Sequence, residues 1–283
     1  MNIFYTNVLN NRDIDKVIVL GSGLSILDLT KEEKEHINRC KYVIAFNKFM
    51  AFYQKAGVLP THIYFHDRHG NSINFYKHIL EVCCKDRLTH LTFITNKEFA
   101  QKYKYFSFFR FNIFRIQRRI FHKKLNESVT NWMGDYLCRK LYKYPHKSTI
   151  YSIEITPELE GGKWAENLNE KVFHYKGSLT SVLNICGIMF PGKEIFLVGT
   201  DFNSSSYFFE EEIEKLDFEW KDFTYQLVKD AGIHYSFQQT DGKTIENAFP
   251  YIISSVKKTG NTLYCINSNS LLIKLGVKYK SLL

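Results

Sequence analysis

The feature that most constrains this chain is a short run, Glu194–Val198 (EIFLV), apolar after its first residue and bounded by Gly192 and Gly199. It is too short for a helix and rich in strand formers, the pattern of a strand covered on both faces within a parallel sheet. The residues before it read as a helix. Thr180 and Ser181 are N-cap types, Val182, Ile185, Cys186 and Met189 recur at helical spacing, and Pro191-Gly192 closes the segment. The residues after it, Gly199-Thr200-Asp201-Phe202 and then Asn203-Ser204-Ser205-Ser206, fall at the carboxyl end of the strand, where open α/β sheets place their ligands. A small residue followed by an acid at that place predicts a ligand edge.

The same unit recurs upstream. Lys16 to Leu20 predicts a buried strand, and Gly21-Ser22-Gly23 is expected to turn directly into a helix capped near Ser25. Glycines there admit close backbone approach, and a helix N-terminus offers free N–H groups to a phosphate. The full GxGxxG is absent because Ile26 occupies its last position, so a phosphate site and a plain tight turn both fit. Further strands are expected at Cys40 to Phe46, ending on Asn47, and at His62 to Phe65, ending on His66-Asp67-Arg68-His69. Leu91 to Thr95 and Thr262 to Ile266 complete the set. Helical segments alternate with them at Ile73 to Cys84 and Thr244 to Lys257, with others at Asn131 to Tyr142 and Phe223 to Ala231. The fold class that follows is α/β, a Rossmann-like doubly wound parallel sheet. The chain has 283 residues and no internal repeat, so it reads as one domain with an excursion. Residues 1–201 and 235–283 form the body, and 202–234 form a small lid.

Charge narrows the partners. The 38 Lys and Arg exceed the 29 Asp and Glu, a net +9 that favours anionic ligands or surfaces. Residues 102–124 interleave aromatic and basic side chains with no acid. They fit either a surface lying on anionic lipid or along a phosphate chain, or a buried face with its basic residues outside. Six cysteines without a CxxC pair predict reduced core residues of a cytoplasmic protein. No signal peptide and no spanning segment is expected, which leaves peripheral association with the inner face of the cytoplasmic membrane as an option.

Several chemistries lose ground. Asp13-Ile14-Asp15 reads as a solvated turn ahead of the first strand, and His66 with Asp67 and His69 lacks a distant third metal ligand. There is no GxSxG elbow and no P-loop. The remaining polar groups are the glycine loop, Asn47, the Thr180-Ser181 helix start, Asp201 at the nucleotide edge, Tyr207, and His234 as the one general base candidate. They suit a nucleotide-bound donor whose phosphate leaves without a metal.

These motifs, in this order, resemble the bacterial sialyltransferases of glycosyltransferase family forty-two. The shared pieces are GSGLS at 21–25, FNKF at 46–49, LTS at 179–181, KEIFLVGTDF at 193–202, SSY at 205–207, HY at 234–235, LYC at 263–265 and NSLL at 269–272. The resemblance covers most of the chain outside roughly 70–171. It implies a GT-A-like, Rossmann-like transferase with a small lid. The activity implied is inverting, metal-independent transfer, without cofactor, from a CMP-activated sugar. The acceptor implied is an oligosaccharide or lipid-linked glycan of the cell surface, as in lipopolysaccharide or capsule assembly. By the same carry-over, Ser22 and Asn47 contact the nucleotide phosphate region, Ser181 holds the donor carboxylate, Tyr207 meets the departing phosphate, and His234 is the base. Gly21, Gly23, His66, Thr180, Gly199, Thr200, Asp201, Asn203, Asn269 and Ser270 complete the expected donor site. Asn203 stands where the family has a first lid tyrosine, Ser178 where it has an arginine, and His66 where it has an asparagine. The donor sugar is therefore expected to be sialic acid or a related nonulosonic acid. Two rival classes stand beside this one: another nucleotide-dependent transferase on the same core, such as a pyrophosphotransferase, and a non-catalytic basic module binding lipid or nucleic acid. The transferase reading expects no nucleic acid partner and leaves the oligomeric state open, a homo-oligomer included.

Overall fold

Residues 13–66, 72–96, 144–157, 159–217 and 232–283 are described by the computed structural model. The expected segments at 67–69, 102–124, 131–142 and 223–231 lie outside the described residues. Within those described, nine strands form a single parallel sheet. They are β1 Asp13–Leu20, β2 Cys40–Phe46, β3 His62–Phe65, β4 Thr92–Asn96, β5 Thr149–Ile155, β6 Lys171–Val172, β7 Glu194–Val198, β8 Thr262–Cys265 and β9 Lys278–Tyr279.

The strand order is β6-β5-β4-β3-β2-β1-β7-β8-β9. Growth proceeds outward from β1 in one direction through β6, then returns to β1's other side with β7. The switch point of this doubly wound sheet therefore lies between β1 and β7, paired in register from Lys16 with Glu194 to Leu20 with Val198.

Alternation along the strands feeds two cores. Ile18, Leu20, Val43, Ala45, Ile63, Phe65 and Phe196 face one side, against Ile37 of α1 (Lys31–Arg39) and against Phe75, Tyr76, Ile79 and Cys83. A four-residue helix, α2 (Tyr53–Ala56), precedes α3 (Ser72–Lys85), which carries those last four side chains. Val17, Val19, Ile44, Tyr64, Ile195 and Leu197 face the other side, against α4 (Ser178–Met189). This layering, with period two along the central strands, is why IFLV of β7 and VIVL of β1 are apolar throughout.

The differences from expectation are local. The glycine loop does not run into a helix: a single 3-10 turn spans Leu24–Ile26, and α1 begins only at Lys31, where Thr30 and Glu33 form a capping box. Asp13 and Asp15 belong to β1 instead of a turn before it. The helix α4 starts at Ser178 behind Gly177, two residues ahead of the Thr180-Ser181 caps, because Thr180 Oγ1 accepts from Tyr175 N (2.8 Å) inside the first turn. Strands β5, β6 and β9 have no counterpart among the expected ones. The last two are two residues long, below any sequence period.

In the segment expected to form a lid, α5 (Glu210–Ile213) follows Phe208 and Phe209, and those two rings and Ile213 are seated in the first core. Phe208 packs on Phe49 and Phe209 stacks on Phe52. The first half of the 202–234 segment is thus anchored to the body. The expected helix over Thr244 to Lys257 is a 3-10 turn at Ile245–Ala248 followed by α6 (Phe249–Lys258), with Pro250 in its first turn. A short α7 (Leu271–Lys274) follows β8. Among the described residues no helix is long and apolar enough to cross a membrane. Cys40, Cys83, Cys84, Cys186 and Cys265 are free thiols.

Candidate functional site

Parallel strands deliver all their carboxyl ends to one edge, so the loops after β1, β2, β3 and β7 meet the head of α4 there. Two knots of hydrogen bonds organise this edge.

The first is built on Asp201. Its carboxylate accepts from Ser25 N (2.9 Å), from Ser25 Oγ and from Asn267 Nδ2 (2.7 Å), and its carbonyl accepts from Leu271 N (3.1 Å). The glycines belong to the same knot. Gly21 N donates to Val198 O and Gly23 N to Gly199 O, both at 2.7 Å. A Cβ on Gly21 would strike the Gly199 carbonyl, and one on Gly23 the Asp201 carboxylate. The close approach that these glycines permit is between two loops of the protein. Ser270 Oγ donates to Thr200 O (2.7 Å), tying in the turn after β8.

The second knot is the segment 174–181. His174 Nδ1 lies 2.9 Å from Ser181 Oγ, and Thr180 Oγ1 donates to Gly177 O (3.0 Å). Asn47 Nδ2 donates to Ser178 Oγ (2.8 Å), while Asn47 Oδ1 accepts from His66 N (3.1 Å). Asn47 sits at φ 54°, a left-handed conformation that asparagine tolerates better than most residues. One side chain thereby joins the loops after β2 and β3 to α4. His66 and His174 meet edge to face, with ring centroids 5.4 Å apart.

Burial sorts the expected donor-site residues into two groups. Gly21, His66, Thr180, Ser181, Gly199, Thr200, Asp201 and Ser270 are buried, and their polar contacts hold loops together. Ser22, Gly23, Asn47, Asn203, Tyr207, His234 and Asn269 keep surface open to solvent and can meet a ligand directly. Asn203 Nδ2 reaches Asn269 O at 3.4 Å, so those two share one rim. Tyr207 stacks on Phe209 (5.3 Å between centroids), and its N–H donates to Glu210 Oε1 (3.3 Å).

His234 stands edge-on to Phe202, centroids 4.7 Å apart, in a crowded recess that leaves only part of its surface open. Burial alone pushes its pKa down to about 4. Its Nδ1 accepts from Ser236 N (3.2 Å), which puts the ring proton of the neutral imidazole on Nε2. In this geometry His234 presents a donor to the site. Action as a base requires the Ser236 contact to open.

Among the described residues, one grouping could hold a metal: Asp13, His36 and Cys40. It lies at the opposite edge of the sheet, at the start of β1 and β2. Lys16 Nζ already occupies it, 3.2 Å from His36 Nε2 and 4.0 Å from Asp13 Oδ2. Burial pushes the Cys40 thiol up to about 11 and lowers His36. An ammonium serves there as the cation.

The sequence alone did not single out His174, Lys176, Asn184 or Asn267, nor Ser25 as a partner of Asp201, nor Ser178 as a partner of Asn47. Asn184 is wholly buried in α4; its Oδ1 accepts from Phe173 N (2.8 Å) and Ala165 N (3.1 Å), and its Nδ2 donates to Ala165 O (2.9 Å). A lone asparagine inside an apolar helical run was the available signal, because a buried amide needs partners. Apart from His174 with Ser181, seven positions on, the other contacts join residues far apart in the chain and leave no local mark. Compared with known proteins, the chain matches no family model, no curated protein and no solved structure.

Proposed function

We propose that this protein is an inverting, metal-independent glycosyltransferase that moves sialic acid, or a related nonulosonic acid, from a CMP-activated donor to a glycan acceptor. The observation that carries the reading is the chemistry of the switch-point edge. Among the described residues its accessible groups include Ser22, Asn47, Ser178, Asn203, Tyr207 and Asn269, neutral hydrogen-bonding side chains, while the nearby carboxylate of Asp201 is spent on Ser25 and Asn267. Neutral donors suit an anionic ligand that arrives without a divalent ion.

In this reading the nucleotide lies over the β1 and β2 loops, with Ser22 and Asn47 at its phosphate. Ser181, wholly buried against His174, supports the donor pocket from behind. Tyr207 donates to the departing phosphate. The acceptor hydroxyl attacks the anomeric carbon, the bond to the phosphate oxygen breaks, and CMP leaves with the electron pair. His234 takes the hydroxyl proton at Nδ1 once its ring turns away from the Ser236 N–H, the loop itself staying seated, since a sugar hydroxyl needs a proton acceptor in the transition state.

Calorimetry with CMP, UDP, GMP and AMP in the presence of a chelator tests the donor. Binding of CMP alone, undiminished by chelator, is the expected result; a preference for UDP, or loss of all binding, overturns it. Transfer from CMP-sialic acid to a lactose-terminated acceptor, followed by mass spectrometry, tests the reaction.

A further inference from the structure

One buried cation beside the site has no role in that mechanism. Lys176 is wholly buried, two residues ahead of α4, and its backbone adopts φ 51°. Gly177 follows at φ 131°. This double reversal turns the lysine side chain toward the loop that carries His234. Lys176 Nζ lies 2.6 Å from Thr240 Oγ1 and 4.4 Å from the centre of the Tyr235 ring. The backbone is seated as closely: a Cβ on Gly177 would lie 2.8 Å from Ser236 Oγ. Ser236, itself buried, donates its N–H to His234 Nδ1.

We propose that Lys176 is a positioning residue, which clamps the 234–240 loop against the head of α4 and so sets the place of His234. Its complete burial keeps it from touching a ligand, so it acts through Tyr235, Ser236 and Thr240. An ammonium in the interior is costly to desolvate, and the charge-assisted hydrogen bond and the desolvated cation–π contact to this loop help offset that cost while the loop is seated. The clamp therefore favours one loop position strongly over others. Its kinetic consequence rests on the transferase reading above; its structural consequence does not.

Hydrogen exchange read by mass spectrometry over 232–243, in the ligand-free full chain, compares wild type with Lys176→Met and Lys176→Arg. Lys176→Met is expected to speed exchange of the Ser236, Phe237 and Gln238 amides by about tenfold or more while α4 and β7 keep wild-type protection. With CMP-sialic acid, kcat should fall about tenfold and CMP affinity stay within about twofold. Lys176→Arg, which keeps the charge over Tyr235, should recover most of both. Unchanged loop exchange in Lys176→Met overturns the clamp, as does faster exchange spread equally through α4 and β7. If Lys176→Met does not fold, Thr240→Val decides: it removes the 2.6 Å contact and should loosen the same amides, and no change there overturns the proposal. A wild type that binds no CMP but shows the exchange pattern leaves the clamp standing and sinks the transferase reading alone.

Discussion

The two knots at the carboxyl edge solve the same problem with opposite chemistry. Around Asp201, one carboxylate is saturated by donors from two other loops, and two glycines let those loops touch. Around 174–181, neutral side chains and one ammonium do the joining, through contacts to Asn47, His66, Tyr235 and Thr240. A saturated carboxylate fixes its loops, because losing any donor leaves charge poorly solvated. Neutral contacts such as Asn47 with Ser178 can be exchanged for contacts with a ligand at little cost. The first region is therefore framework, and the neutral contacts of the second are where binding is expected.

The largest effect should come from breaking the framework. Asp201→Ala leaves Ser25 N and Asn267 Nδ2 without their acceptor and should cost about 4 kcal/mol of stability in chemical denaturation. A loss below about 1 kcal/mol would place Asp201 among the ligand contacts instead. Next comes the exchangeable side. His234→Ala should lower kcat by about two orders of magnitude with CMP affinity nearly unchanged. His234→Gln sharpens this: a glutamine can donate but cannot take up the proton, so retained turnover would identify His234 as a donor, and a loss equal to that of alanine would identify it as the base.

Acid should act through buried imidazoles. Burial holds both His62 and His234 down at about 4, below the ordinary 6.5 of an unfolded chain. Between those values the unfolded state binds more protons than the folded one, so this stability is complete above about 6.5 and is lost as pH falls toward 4. The urea midpoint should drop between about pH 7 and pH 5, and His62→Gln should flatten part of that slope. The catalytic rate, if His234 must be neutral, should hold down to near pH 4. The smallest effect belongs to Ser178→Ala, which removes the acceptor of Asn47 Nδ2 and should weaken CMP binding by about fivefold, near 1 kcal/mol. An unchanged dissociation constant would detach Asn47's orientation from binding.

The parallel sheet and its switch point were legible in the sequence, because a strand covered on both faces must be apolar throughout and must end on residues that can turn. IFLV before Gly199 and VIVL before Gly21 meet both demands, and their alternation alone assigns Ile18 and Val19 to opposite cores. The strand ends placed Asn47, His66 and Asp201 at one edge for the same reason. Which of those side chains faces solvent was decided by tertiary structure. Asp201 reads as a ligand edge in the sequence, yet Ser25 and Asn267, 176 and 66 positions away in the chain, take up its oxygens. Lys176 gave no local sign of burial, since Tyr235 and Thr240, which pack on it, arrive from across the fold. Periodicity records how a segment meets its layer; a polar contact between distant loops depends on two or three atoms meeting at hydrogen-bond distance, and only the folded chain brings them there.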